Sequence, residues 1–176
     1  LLHDKCRSTD DDVRHLVALI SDTGVRLSEA TGLKISDLKV DGPTPYVHIT
    51  PNPIRRLKTK QSERQVPLIG ASLWAAKRVL ANSSGDYAFP RYVKNGTCLA
   101  NSASATLNKW IRSNICNDLV AHGLRHGFRD RLREVGCPPE IADSLGGWSR
   151  NSIGESYGDG YSLKAKHEWL SKIILE

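Results

Sequence analysis

The chain has 176 residues, with 25 Lys plus Arg against 19 Asp plus Glu, for a formal net charge of +6. At 39% hydrophobic and 25% charged residues it has the make-up of a folded domain, which excludes a disordered chain. Its longest aliphatic run, Leu16 to Ile20, is far short of the ~20 residues a membrane-spanning helix needs. Cys6, Cys98, Cys116 and Cys137 are widely spaced and form no C-x-x-C pair, so reduced thiols are expected rather than a disulfide framework or a zinc site. The chain opens on Leu1 and holds no Met, and it reads as a domain cut from a longer product.

In chain order, Thr9-Asp10-Asp11-Asp12 supplies capping and acidic first-turn residues, followed by Val13, Leu16, Val17 and Ile20 on one face of a helix that stops at Gly24. A second short helix is expected from Ser28 to Thr31, with Gly32 as its stop. After a loop around Asp41-Gly42-Pro43, three strands are expected at Tyr46–Ile49, Ile54–Thr59 and Arg64–Leu68, the last two joined by a turn at Lys60 to Glu63. Helices return at Ala71–Leu80, Ala103–Ile115 and His122–Val135, with Gly136, Pro138 and Pro139 as punctuation. A short helix around Ile141 and Leu145, another over Ser152–Tyr157 and an amphipathic tail over Ser162–Leu175 complete the series. The expected class is α+β, mainly α, with helices around a small three-stranded antiparallel sheet in one domain covering 1–176.

Four local patterns carry chemistry. Thr23-Gly24-Val25-Arg26-Leu27-Ser28-Glu29 puts an Arg in a glycine turn at a helix start, where unpaired N–H groups and a guanidinium suit a phosphate. Glu29 lies where it can brace Arg26. Lys58-Thr59-Lys60-Gln61-Ser62-Glu63-Arg64-Gln65-Val66-Pro67-Leu68 is a polar hairpin with a lysine near its turn. His122-Gly123-Leu124-Arg125-His126 sets a titrating group and a permanent cation at i and i+3 on one helix face. Leu145-Gly146-Gly147-Trp148 is followed by Tyr157 nine residues on. Taken singly, each also fits a bland role: a surface Arg beside a cap, an edge Lys that blocks aggregation, a packed histidine at His126, two core aromatics.

Together and in this order, the patterns resemble the catalytic domain of the tyrosine recombinases, the phage-integrase family, over about Asp10 to Leu170. The resemblance implies that Arg26 and Arg125 are the two catalytic arginines, Lys58 the hairpin lysine, His122 the first histidine and Tyr157 the nucleophile. Trp148 stands where many members carry a second histidine, and His126 supports the site. It further implies DNA cleavage and rejoining through a 3′-phosphotyrosyl link without ATP, on double-stranded DNA, as a homotetramer, for a phage or genomic-island integrase acting in a bacterial cytoplasm. The tail, 162–176, would dock in cis or on a neighbouring protomer. An N-terminal DNA-clamping domain would be absent from this chain.

No cofactor and no metal are expected, since two arginines can neutralise phosphoryl charge and no carboxylate cluster suited to Mg²⁺ is visible. Neither a membrane nor a small-molecule substrate is expected. Arg55, Arg56, Lys60 and Arg64 in the hairpin and Arg129 on the helix after Arg125 are expected to contact DNA. A type IB topoisomerase-like relaxing enzyme would share this chemistry. A non-catalytic DNA-binding domain would explain the helix-turn-helix-like Pro139 to Ser149 stretch, but not Arg26, Lys58 or the His122/Arg125 pair.

Overall fold

The computed structural model describes residues 1–59, 62–148 and 160–175. Helix α1 spans Leu2–Thr9 and α2 spans Asp12–Thr23. Asp10 closes α1 in the left-handed region at φ 50°, and Asp11 caps α2 by accepting from the Arg14 N–H at 3.1 Å. From His15 to Thr23 every residue of α2 is buried, as expected of a helix that is apolar over most of its circumference. It forms the axis of the domain and packs against α4 (Gly70–Asn82) and α6 (Ala121–Glu134).

After α3 (Leu27–Thr31) and a single 3₁₀ turn at Ile35–Asp37 comes the sheet of β1 (Leu38–Lys39), β2 (Tyr46–Ile49) and β3 (Arg64–Pro67). It is antiparallel in the order β1-β2-β3, with Val47 opposite Leu38 on one side and Val66 on the other. Three strands are present as expected, but the segment assigned to Ile54–Thr59 is not one of them; Leu38–Lys39 takes its place. Asn52 and Arg55 exchange backbone hydrogen bonds at 3.0 and 3.1 Å. The Asn52 side chain accepts from the Ile54 N–H at 3.1 Å and donates to the Gly32 carbonyl at 2.8 Å. A backbone folded onto itself this way, around a Pro53 that lacks an N–H, has nothing left for a ladder.

Beyond α4 the chain makes a hairpin of β4 (Val93–Lys94) and β5 (Thr97–Cys98). Asn95 and Gly96 both take positive φ, 51° and 69°, the geometry of a tight two-residue turn. Helices α5 (Ala100–Asn114), α6 and α7 (Pro139–Gly146) follow. The expected helix at Ser152–Tyr157 lies outside the described residues. In the tail, α8 (Leu163–Ser171) packs against the edge strand β3 within its own chain. Of the tail's apolar residues, Leu170 and Ile173 are buried, Leu163 is half-buried and Ile174 is exposed. Arg131 of α6 donates to the Ile173 carbonyl at 2.9 Å. The four cysteines are unpaired. Among the described residues no helix is long and apolar enough to cross a membrane.

Candidate active site

The site begins at the end of α2. Gly24 stops the helix at φ 62°, a conformation that suits glycine, and a Cβ there would stand 2.3 Å from Phe128 of α6. The missing side chain lets α6 close onto the turn, where Arg125 donates to the Gly24 carbonyl. Two residues on, Arg26 opens α3. Its N–H donates to Glu29 Oε2 at 2.8 Å and its guanidinium to Glu29 Oε1 at 2.6 Å, so one carboxylate caps the helix and aims the arginine. The two arginines named by the sequence patterns are thus mounted on a single glycine turn.

Glu29 is buried and shared. Arg64 of β3 reaches it with Nη2 to Oε2 at 2.9 Å and Nη1 to Oε1 at 3.2 Å. Burial alone would raise the Glu29 carboxyl; the hydrogen bonds and charge of Arg64, with those of Arg26, hold it below the usual glutamate value. Arg125 is in the opposite position. Burial first, then Arg26 and Arg64, pull its guanidinium down to about 9, with Glu29 opposing and Arg129 adding to the depression. Three guanidinium groups around one carboxylate leave a surplus of positive charge in a partly dehydrated place, which is what an oxyanion needs to meet.

The same cations hold the turn that follows α7. Arg64 Nε donates to the Leu145 carbonyl at 2.7 Å and Arg26 Nη2 to the Gly147 carbonyl at 2.8 Å. Trp148 lies against the guanidinium groups of Arg125 and Arg129, at 4.3 and 4.7 Å from its ring centre. Its indole therefore meets two cations while also packing against the hydrophobic core beside Phe128, at 6.5 Å between ring centres. Arg129 also pairs with Asp143 at 3.1 Å.

His122 is exposed on the first turn of α6. What desolvation it has on α6, with His126 and Arg125, still lowers its imidazole from the ordinary value, which favours the neutral, proton-accepting form. His126 is also exposed; it touches His122 edge to face, with ring centres 4.7 Å apart. Its support is thus a ring contact at the surface and not a core packing role. Lys58 is exposed just before the hairpin turn. That turn is tied to the site by Ser62 Oγ, which contacts Thr59 Oγ1 at 3.1 Å and accepts from Arg26 at 3.3 Å. Lys60 and Tyr157 lie outside the described residues. Among the described residues no group of three or more His, Cys, Asp and Glu side chains could hold a metal ion.

Two of the residues expected to touch DNA are turned inward. Arg55 is 3% exposed; it donates to the Thr50 and Glu29 carbonyls and pairs with Asp37 at 3.2 Å. Arg64 is 6% exposed and spends its donors on Glu29, Ser62 and Leu145. Both are struts, because a guanidinium with this many internal acceptors has no free edge for a phosphate. Arg56 is exposed and Arg129 half-buried. Sequence reasoning overlooked Ser62 and the Gly147 carbonyl. The glycine pair ahead of Trp148 was the available signal for the second: Gly147 takes φ 63°.

A family model described as the phage integrase family matches residues 2–162. The chain is similar to tyrosine recombinase XerD of Corynebacterium glutamicum, 30% identical over 151 residues that cover 82% of this chain and 47% of XerD. It is also similar to the transposase from transposon Tn916 of Enterococcus faecalis, 25% identical over 166 residues, 80% of this chain and 40% of the relative. The chain therefore spans about half the length of the curated relatives it matches. Among solved structures, the Tn1549 transposon integrase in complex with a circular intermediate DNA shares the fold with a TM-score of 0.60 at 18% identity, over 92% of this chain and 58% of that one. The same integrase in complex with transposon right end DNA gives 0.56 at 20% identity, over 90% and 58%.

Proposed function

The chain belongs to the phage integrase family, and from that membership we propose that it carries the strand-transfer chemistry of a site-specific DNA recombinase. The observation that bears most weight is the mounting of Arg26 and Arg125 on the Gly24 turn, with surplus positive charge between them. A phosphodiester under attack gains charge on its non-bridging oxygens, and a fixed pair of guanidinium groups meets that charge without reorganisation. Tyr157 Oη attacks phosphorus and passes its proton to neutral His122. The P–O5′ bond breaks, and Lys58 protonates the leaving 5′-oxygen. The product is a 3′-phosphotyrosyl enzyme and a free 5′-hydroxyl. The covalent link keeps the phosphodiester energy, so attack by the 5′-hydroxyl of another strand reverses the step without ATP and yields a recombinant.

Exchange between two duplexes cuts four strands, each needing its own Tyr157, which supports a homotetramer on double-stranded DNA; the bacterial relatives support action in a bacterial cytoplasm. The exposed Arg56, the half-buried Arg129 and Lys60 supply phosphate contacts around the site. The test is Tyr157→Phe on a nicked duplex from the junction of the element that encodes the chain. The wild-type protein gives a covalent adduct on a denaturing gel; the variant binds the duplex and gives none. An adduct that survives the substitution overturns Tyr157 as nucleophile.

A further inference from the structure

Arg64 stands at a core position of β3, on the same face as Val66, where an arginine is expensive unless its donors are met. They are met by three different parts of the site. Nε donates to Leu145 at 2.7 Å, a carbonyl in the last turn of α7 that the helix itself leaves unpaired. Nη1 donates to Ser62 at 2.6 Å, in the turn that follows Lys58. Nη1 and Nη2 together hold Glu29, at 3.2 and 2.9 Å, and Glu29 aims Arg26. A lysine has the charge but not the fork to reach all three. The neighbouring turn is shaped around this group: a Cβ on Gly147 would lie 2.7 Å from Arg64 Nη1.

The charges tell the same story. Arg26 and Glu29 alone form a neutral pair, in which the carboxylate cancels the charge that a phosphate would bind. With Arg64 on the other side of Glu29, the trio carries a net positive charge, and Arg26 keeps its own for the ligand. We propose that Arg64 is a positioning residue: it neutralises Glu29 on behalf of Arg26 and locks the Lys58 turn and the turn leading to Tyr157 into one frame. This deepens the strand-transfer reading above and rests on it.

The test separates charge from packing. The probe is inorganic sulfate, followed through the side-chain Nε–Hε NMR signal of Arg26. Arg64→Met weakens sulfate binding by about tenfold or more, because Glu29 then pairs with Arg26 alone. Adding Glu29→Gln to Arg64→Met restores binding to within about threefold of wild type, because the cancelling charge is gone. A packing role predicts no such rescue: wild-type sulfate affinity in Arg64→Met, or a further loss on adding Glu29→Gln, overturns the proposal. Should Arg64→Met fail to fold, Arg64→Lys serves instead; it keeps sulfate affinity within about threefold while single-turnover cleavage of the nicked duplex falls about a hundredfold, since the fork is lost. Unchanged cleavage in a folded Arg64→Lys also overturns it. A wild-type protein that forms no adduct refutes the strand-transfer reading, and the sulfate titrations still decide the role of Arg64.

Discussion

Two buried carboxylates, Glu29 and Asp22, organise opposite ends of the turn between α2 and α3, and they are balanced differently. Asp22 is fully buried. It accepts the Ala71 and Ser72 N–H groups at the start of α4, at 2.8 and 3.3 Å, and pairs with Arg131 at 3.3 Å, with His3 at 3.6 Å. Its one negative charge faces one permanent cation and a helix N-terminus, so it is fully used in tying α1, α2, α4 and α6 together. Glu29 faces Arg26 and Arg64, with Arg125 beside them. The first arrangement is neutral and serves the scaffold. The second is left positive, and the folded state bears the repulsion.

The sharpest way to break this comparison is to remove one cation from the surplus. Arg125→Met is expected to lower single-turnover cleavage by about 10³-fold, in the range for losing a preorganised oxyanion donor. Because the folded state pulls the Arg125 guanidinium down to about 9, its charge is disfavoured there relative to the unfolded chain. The unfolded state therefore binds more protons between about 9 and the ordinary arginine value, and relief of the repulsion comes as pH rises through that window. Arg125→Met should accordingly melt no lower than wild type. A large drop in melting temperature would show that the arginine serves the scaffold after all.

The matching change at the balanced carboxylate is Asp22→Asn, which takes the negative partner from Arg131 and leaves it only the Ser21 and Ile173 carbonyls. It should cost about 3 kcal/mol by urea unfolding, while cleavage measured well below the melting point stays close to wild type. Equal losses of activity and stability would erase the distinction between the two carboxylates.

A smaller effect sharpens the acid–base side. The His122 imidazole is held below its ordinary value, and in the proposed reaction only its neutral form accepts the Tyr157 proton. Cleavage should thus fall by about tenfold per pH unit only below that lowered value, and be flat from there to neutrality. A midpoint above 6.5 would contradict the assignment. The smallest effect is at the rim. Arg56→Ala should reduce the salt slope of duplex binding by about one and leave cleavage at saturating protein unchanged.

Most of the described helices were legible because their signals are local; α1 (Leu2–Thr9) was not among those expected. The stripe of Val13, Leu16, Val17 and Ile20 and the stop at Gly24 define α2 within one stretch of chain. The candidate site residues were local too: Arg26, His122, Arg125 and Trp148 are marked by neighbours a few positions away. The hairpin at Val93–Cys98 was equally local, since Asn95-Gly96 is a strong turn signal, yet it passed unread beside the louder motifs. The strand assigned to Ile54–Thr59 failed for another reason. Asn52 turns the backbone onto itself, and Arg55 reaches Asp37 and Glu29, partners far away in the chain.

The amino-acid sequence by itself determined much of the inventory: most of the described helices after α1, where Gly24 turns the chain, and which titratable and charged side chains are available. Only the tertiary structure decided how the arginines divide. Arg55, Arg56 and Arg64 are the same residue type in the same basic stretch, yet one braces α3, one faces solvent and one joins the three segments of the site. A guanidinium carries the same charge and donors wherever it stands, so its role is set by the acceptors that folding brings within about 3 Å of it, and those are contributed by residues that the local sequence does not contain.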